Sequence, residues 1–269
     1  MKIVSFNVNG LRARLHQLQA LIDEHRPDLI ALQETKVHDS QFPRLEVEAM
    51  GYHVCFHGQK AHYGVALLSR QEPLSWGCGF DGDGEEAQRR LIYGRYAFGE
   101  RILILVNGYF PQGEGQDHPV KFPAKEKFYA DLLQLLGGYD PQRDLLAVVG
   151  DMNVAPADPD VGIGAENEKR WLKAGKSGFL PEERRWLRRL LDWGLQDSYR
   201  CCCPQGTDLS WFDYRSRGFE QQPKRGLRID LILTSAALQP LCAAAGIDYG
   251  IRGMEKPSDH CPIWAEFEL

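Results

Sequence analysis

The sequence predicts an α/β fold in which two mixed β-sheets pack face to face with helices on their outer sides. Three observations predict it. Short apolar runs alternate with helical patterns from one end of the chain to the other, as in layered α/β proteins. Between residues 52 and 109, strands follow one another with no helix between them. That argues against a purely doubly wound parallel sheet and for paired sheets. Polar residues recur where strands end, at Asn7, Glu34, Asp151, Asp230 and Asp259. Strand ends of a sheet sandwich make a rigid rim on which loops can gather a site.

The elements follow in order. Lys2 to Val8 reads as the first strand. Leu11, Leu15, Leu18, Leu21 and Ile22 then mark one face of a helix. Asp28 to Leu32 is a second strand, ending at Gln33-Glu34-Thr35. Tyr63 to Leu68, Leu91 to Phe98 and Ile102 to Tyr109 read as further strands, and Phe122 to Leu136 as a helix. Leu145 to Val149, Ile229 to Leu233 and Cys261 to Phe267 have the unbroken apolar character of buried strands. Another helix opens at Pro181-Glu182-Glu183, with proline in its first turn and acids at its positive end. Its apolar face is Trp186, Leu187, Leu190 and Leu191. Arg184, Arg185, Arg188 and Arg189 form the other face, and Lys169, Arg170, Lys173 and Lys176 lie just before it. Such a face is either a solvated surface or a local phosphate-binding one.

No repeat and no low-complexity linker divides the 269 residues, so residues 1–269 read as one domain. A hydrophobic share of 43% is enough for a core without staples. The net charge of -5 means that any nucleic-acid binding must rest on local basic patches. No run approaches the roughly 18 apolar residues of a membrane span, so no membrane partner is expected. The start reads as a strand and not as a cleavable leader, and a cytoplasmic location is expected. The seven cysteines are odd in number, show no CxxC pair and include Cys201-Cys202-Cys203. They read as reduced, structural thiols.

Five motifs carry chemistry. Phe6-Asn7-Val8-Asn9-Gly10 places an amide just past a strand, where turn chemistry is also common. Leu32-Gln33-Glu34-Thr35 ends a strand on a carboxylate. It is either an exposed strand end or a partner for a hard cation such as Mg²⁺. Val149-Gly150-Asp151-Met152-Asn153 puts an acid and an amide at a strand mouth, or an Asx cap in a turn. Asp230 stands inside the apolar run Leu227 to Leu233, which is costly unless it is paired. Pro257-Ser258-Asp259-His260-Cys261-Pro262 sets an imidazole beside an acid, and Asp230 offers the carboxylate that would orient it.

Together and in this order, Asn7, Glu34, Asp151, Asn153, Asp230, Asp259 and His260 resemble the endonuclease/exonuclease/phosphatase superfamily. Further stretches are similar to its exonuclease III type, in the abasic-endonuclease branch. They include Leu11-Arg12-Ala13-Arg14, His57-Gly58-Gln59-Lys60, Tyr63-Gly64-Val65-Ala66, Glu85 to Arg90, Asn107 to Gly113, Lys121 to Lys125 and Ser210 to Ser216. The resemblance spans the chain and is without motif support over residues 71–84, 94–101, 137–144 and 200–208.

The resemblance implies a four-layered α/β sandwich, two packed mixed β-sheets flanked by helices. It also implies a metal-dependent phosphodiesterase acting on double-stranded DNA. Such an enzyme incises 5′ to abasic sites and removes nucleotides or blocking groups 3′ to 5′. Mg²⁺ is the expected cofactor, with Mn²⁺ as the alternative, and a monomer is expected. By the same resemblance Glu34 is the main metal ligand, with Asn7 and Asp259 close to the ion or its waters. Asp151 handles the proton of the attacking water or leaving group. Asn153 orients that group, His260 held by Asp230 contacts the scissile phosphate, and Tyr109 supplies a phenol there or merely packs. Arg90 and Lys121 hold the DNA backbone. Trp211, Phe212 and Leu227 line a pocket for a sugar without its base, or are ordinary core. Two competing functions are a lipid or inositol phosphate phosphodiesterase and a catalytically inactive DNA-binding module.

Overall fold

A computed structural model describes residues 1–269. One six-stranded sheet holds β1 (Lys2–Asn7), β2 (Leu29–Gln33), β3 (His53–His57), β4 (Val65–Ser69), β11 (Cys242–Ile247) and β12 (Ile263–Phe267), in the order β11-β12-β1-β2-β4-β3. The other holds β5 (Ser75–Cys78), β6 (Leu91–Phe98), β7 (Arg101–Tyr109), β8 (Leu145–Asp151), β9 (Leu195–Asp197) and β10 (Asp230–Ser235), in the order β5-β6-β7-β8-β10-β9. Each sheet has a parallel pair at its centre, β1 with β2 and β7 with β8, and antiparallel strands around it. The mixed paired sheets that the sequence predicts are therefore present.

Period-two alternation builds the layers. Ile3, Leu29, Ala31, Val65 and Leu67 of one sheet meet Leu103, Leu105, Ala147, Val149 and Ile232 of the other in a single buried cluster. The intervening residues Val4, Phe6, Ile30, Leu32, Ala66 and Leu68 face the opposite way, onto Leu18, Leu21 and Ile22 of α1 (Leu15–His25). Beyond α1, α2 (Arg44–Ala49) adds Val47 to that layer. On the second sheet Ile104, Val106, Leu146, Val148, Leu231 and Leu233 pack under α3 (Lys121–Leu136), α4 (Ala165–Lys173) lies apart, and α5 (Pro181–Trp193) contributes Trp186, Leu187 and Leu190. The order of layers is helix, sheet, sheet, helix. Two short helices, α6 (Ser198–Cys202) and α7 (Tyr249–Arg252), complete the elements.

The inter-sheet face changes character toward one edge. Along β1 the inward positions run Ile3, Ser5, Asn7; along β2 they run Leu29, Ala31, Gln33; along β8 they run Ala147, Val149, Asp151. All of these polar residues are buried. Buried polar groups need partners, and here they bond across the sheets. Gln33 Nε2 donates to Ser5 Oγ at 3.0 Å and to Asn107 Oδ1 at 2.8 Å. Asn107 Nδ2 donates to the carbonyls of Leu32 and Ala66, at 2.9 and 3.0 Å. This amide bridge closes the core where the strands end and fixes the two sheet edges relative to each other.

Candidate active site

The bonding continues outward from that bridge. Asn7, at the end of β1, turns its amide nitrogen to two carboxylates. It lies 2.9 Å from Glu34 Oε2 and 2.9 Å from Asp151 Oδ2. Its oxygen accepts from the Asn9 amide at 3.0 Å. Asn7 therefore sets the spacing of Glu34 and Asp151.

Glu34 follows β2 in a left-handed conformation (φ 57), and Lys36 repeats it (φ 55). Non-glycine residues adopt this conformation at a cost and chiefly where function holds them there. Here it folds Lys36 back onto its neighbour. Lys36 Nζ lies 2.8 Å from Glu34 Oε1 and donates to Asn9 Oδ1 at 2.6 Å. Asn9 Nδ2 in turn donates to Asp259 Oδ1 at 2.8 Å, and Trp211 Nε1 donates to Asp259 Oδ2 at 3.0 Å. Glu34 and Asp259 thus line one pocket and are linked through Lys36 and Asn9.

The second sheet supplies the other half. Asp151 ends β8 and Asp230 begins β10, directly opposite each other in register. Asp230 faces into the core with partners on every side. His260 Nδ1 lies 2.9 Å from its Oδ2, and Ser210 Oγ donates to Oδ2 at 2.6 Å. This answers the question that an aspartate in an apolar strand raises. His260 Nε2 then points at Asp151 Oδ2, 3.7 Å away. Ser258 fixes the segment from below, donating to the Asn7 carbonyl at 2.6 Å and accepting from the His260 amide at 3.2 Å. Asn153, also left-handed (φ 54), donates its amide N–H to Asp151 Oδ1 at 3.0 Å and its side chain to the Phe110 carbonyl at 3.0 Å.

Burial and charge set the protonation states. Burial raises the Asp151 carboxyl above its ordinary value, against the pull of His260. For His260 burial works against the charge, but the Asp230 and Asp151 carboxylates outweigh it and raise the imidazole. Tyr109 is raised well above a free phenol by burial, with Glu34 and Asp151 adding to it. It stays a neutral donor at the pocket wall.

Glu34, Tyr109, Asp151, Asn153, Trp211, Leu227, Asp259 and His260 line one pocket of about 420 Å³. Phe212 does not. It is fully buried beside Leu209 and Cys261 and packs edge-on against Phe219 and Tyr249. The correction has a simple cause: consecutive extended residues point opposite ways, so if Trp211 faces the pocket, Phe212 faces the core. Arg90 is held rather than free. Its guanidinium stacks on Tyr63 and Tyr109, at 4.5 and 4.6 Å, and donates to the Tyr109 carbonyl at 3.0 Å. Lys121 is exposed at the start of α3 and paired with Glu114.

Sequence reading missed part of the wall, Gln112, Trp171, Ser177, Asp213 and Arg215, and had Lys176 only as one of a basic stretch. A second hollow of about 250 Å³ shares Trp171, Lys176, Trp211 and Asp213 with the first and adds Arg170 and Arg225. The local basic surface thus lies beside the site. On α5, Arg184 and Arg185 are paired with Asp158 and Glu182.

Among the pocket carboxylates, Glu34 and Asp259 each keep lone pairs beyond the one donor that each of their oxygens meets, and they are the candidates to hold a cation. They are hard ligands of the kind Mg²⁺ takes, and Lys36 already lodges a positive charge between Glu34 and Asn9. Such a set fits a divalent ion. Asp151, Asp230 and His260 bring ligand atoms within 4.8 Å of one another, but Asp230 and His260 already satisfy each other.

The model of the Endonuclease/Exonuclease/phosphatase family matches residues 4–260. Exodeoxyribonuclease III of Haemophilus influenzae is 56% identical over 269 residues, covering 100% of both chains. A 3′-5′ exonuclease from Neisseria meningitidis has a structure similar to this one with a TM-score of 0.89 at 38% identity, and an AP endonuclease from Archaeoglobus fulgidus one of 0.90 at 34%; both cover 100% of each chain. By its sequence, its paired sheets and the residues at their common edge, the chain belongs to the endonuclease/exonuclease/phosphatase family, in its exodeoxyribonuclease III group.

Proposed function

We propose that this edge is the active site of a DNA-repair nuclease that hydrolyses phosphodiester bonds in double-stranded DNA. It incises 5′ to abasic sites and trims or unblocks 3′ ends. The reading rests on one observation above all: a buried acid, Asp151, shares a pocket with an oriented imidazole, a carboxylate pair and the apolar wall of Trp211 and Leu227.

A divalent cation, Mg²⁺ in this proposal, supplies Lewis-acid polarisation of the phosphate and stabilises the leaving 3′-oxygen. Glu34 and Asp259 would hold it. Asp151 moves the proton of the attacking water, and its raised affinity for protons suits a general base near neutral pH. As the new P–O bond forms and the P–O3′ bond breaks, His260 donates from Nε2 to a phosphoryl oxygen while Asp230 holds Nδ1. Tyr109 and Asn153 donate to the same oxygens. Trp211 and Leu227 accept the bare sugar, which has no base to unstack. Lys176 and Arg215 hold phosphates and read no sequence. The chain acts as a single domain over 1–269 and as a monomer.

Cleavage of plain and abasic duplex in Mg²⁺, repeated with chelator and with a lipid phosphodiester, tests the reading. Chelator-sensitive cutting of DNA alone is expected. Cutting of the lipid alone would place the chain with the lipid phosphodiesterases, and binding without cutting would make it an inactive module.

A further inference from the structure

Behind the pocket wall lies an ion pair that takes no part in the chemistry above. Lys125, on α3, and Glu183, in the first turn of α5, are both completely buried and bonded to each other. A buried pair is a poor source of stability, since desolvation offsets its attraction. What these two charges touch is therefore informative.

They touch three loops of the site. Lys125 Nζ donates to the Asn153 carbonyl at 2.8 Å, to Ser177 Oγ at 2.9 Å and to the Gln112 carbonyl at 3.3 Å. Glu183 Oε2 accepts from the amides of Gly178 and Leu180, at 2.7 and 2.8 Å. Gln112, Asn153, Ser177 and Gly178 all line the active-site pocket. The tie to Asn153 matters most. Its left-handed backbone turns the carbonyl inward, where only the ammonium meets it, while its N–H holds Asp151 Oδ1.

We propose that Lys125 is a positioning residue for hydrolysis, acting through the Asn153 peptide on the Asp151 carboxylate, with Glu183 securing the 176–180 loop beside it. This rests on the nuclease reading. The amide N–H that aligns Asp151 stays in place because the carbonyl of the same residue has a buried donor. A shift of about 1 Å at such a point costs as much as roughly 10²-fold in rate.

Two variants separate positioning from support. In Lys125→Met with Glu183→Gln no charge is buried, but the Asn153 carbonyl loses its donor. Glu183→Gln alone keeps that donor. The quantities are Tm, and kcat and KM on duplex with one abasic site. The double variant is expected to fold with kcat lowered roughly 10- to 100-fold. Glu183→Gln is expected to keep kcat within about threefold while KM rises, because the loop carrying Lys176 loosens. A double variant with wild-type kcat would overturn the proposal. So would a kcat loss in Glu183→Gln as large as in the double, since the loss would then follow the ion pair. If the double variant does not fold, kcat of Glu183→Gln alone decides in the same sense. Wild-type protein without cleavage would instead sink the nuclease reading.

Discussion

Each residue of the site is held by a neighbour that does not itself react. Asn7 spaces Glu34 from Asp151, Ser210 and Asp230 hold His260, and Asn9 links Lys36 to Asp259. Preorganisation of this kind lowers the cost of reaching the transition state. Glu34→Ala should lose most activity, at least about 10²-fold in kcat/KM at low Mg²⁺, with Tm close to wild type because the residue lies on a rim. Near wild-type turnover would refute its assignment as the ligand. A separate residue-scale prediction concerns pH. Asp248 is buried, which raises its carboxyl, but His25 at 2.7 Å and the Ile251 amide at 2.9 Å lower it below the ordinary 3.8 overall. A depressed acid stabilises the fold above its unfolded pKa, and that contribution is lost as pH falls through the folded value. Asp248→Asn should therefore be less stable at neutral pH, by about 1 kcal/mol or more. The gap to wild type should close below pH 3.8. Denaturant melts across pH measure it, and a gap independent of pH would contradict the assignment.

At the scale of elements, legibility followed burial. The eight strands read from sequence are the eight inner ones. The four missed, β3, β5, β9 and β11, are the four sheet edges. An edge strand is half-solvated and short or mixed in composition, as in Ser75-Trp76-Gly77-Cys78, so no apolar run betrays it. Asp151 and Asp230 were legible for a related reason: each adjoins a buried apolar run, at the end of β8 and the start of β10, and stands out against it. Trp171 lies near the end of the short, mostly polar helix α4, and Lys176 and Arg215 lie on irregular segments whose fold no periodicity reports. They supply the element-scale prediction. Neutralising Lys176 and Arg215 should flatten the slope of log K against log salt for DNA by roughly two units. Neutralising Arg188 and Arg189 on the outer helical layer should leave it unchanged; a larger effect there would move the DNA track onto α5. Trp211→Ala should lower kcat/KM at abasic sites more than at plain 3′ ends. An equal loss at both would make Trp211 a structural support.

The whole molecule is organised around one edge. The central parallel pairs of both sheets, β1–β2 and β7–β8, run toward it, and Glu34 and Asp151 meet there through Asn7. Their meeting depends on the fixed relation of the sheets, which the Gln33–Asn107 bridge secures. Asn107→Leu would take from Gln33 its bond across the sheets and from the Leu32 and Ala66 carbonyls their side-chain donor, and should cost roughly 2 kcal/mol in addition to activity. Full activity with lost stability would show that the bridge supports the fold and leaves the alignment to other contacts. The central claim, that this edge hydrolyses DNA at abasic sites, is tested most directly by one measurement. A duplex with a single abasic site is incubated with the protein and Mg²⁺, and the ends of the product strands are identified. The account predicts one cut 5′ to the lesion, leaving a 3′-hydroxyl on one fragment and the baseless sugar phosphate on the other, with no product in chelator. Cuts scattered without regard to the lesion, or cleavage that persists in chelator, would contradict it.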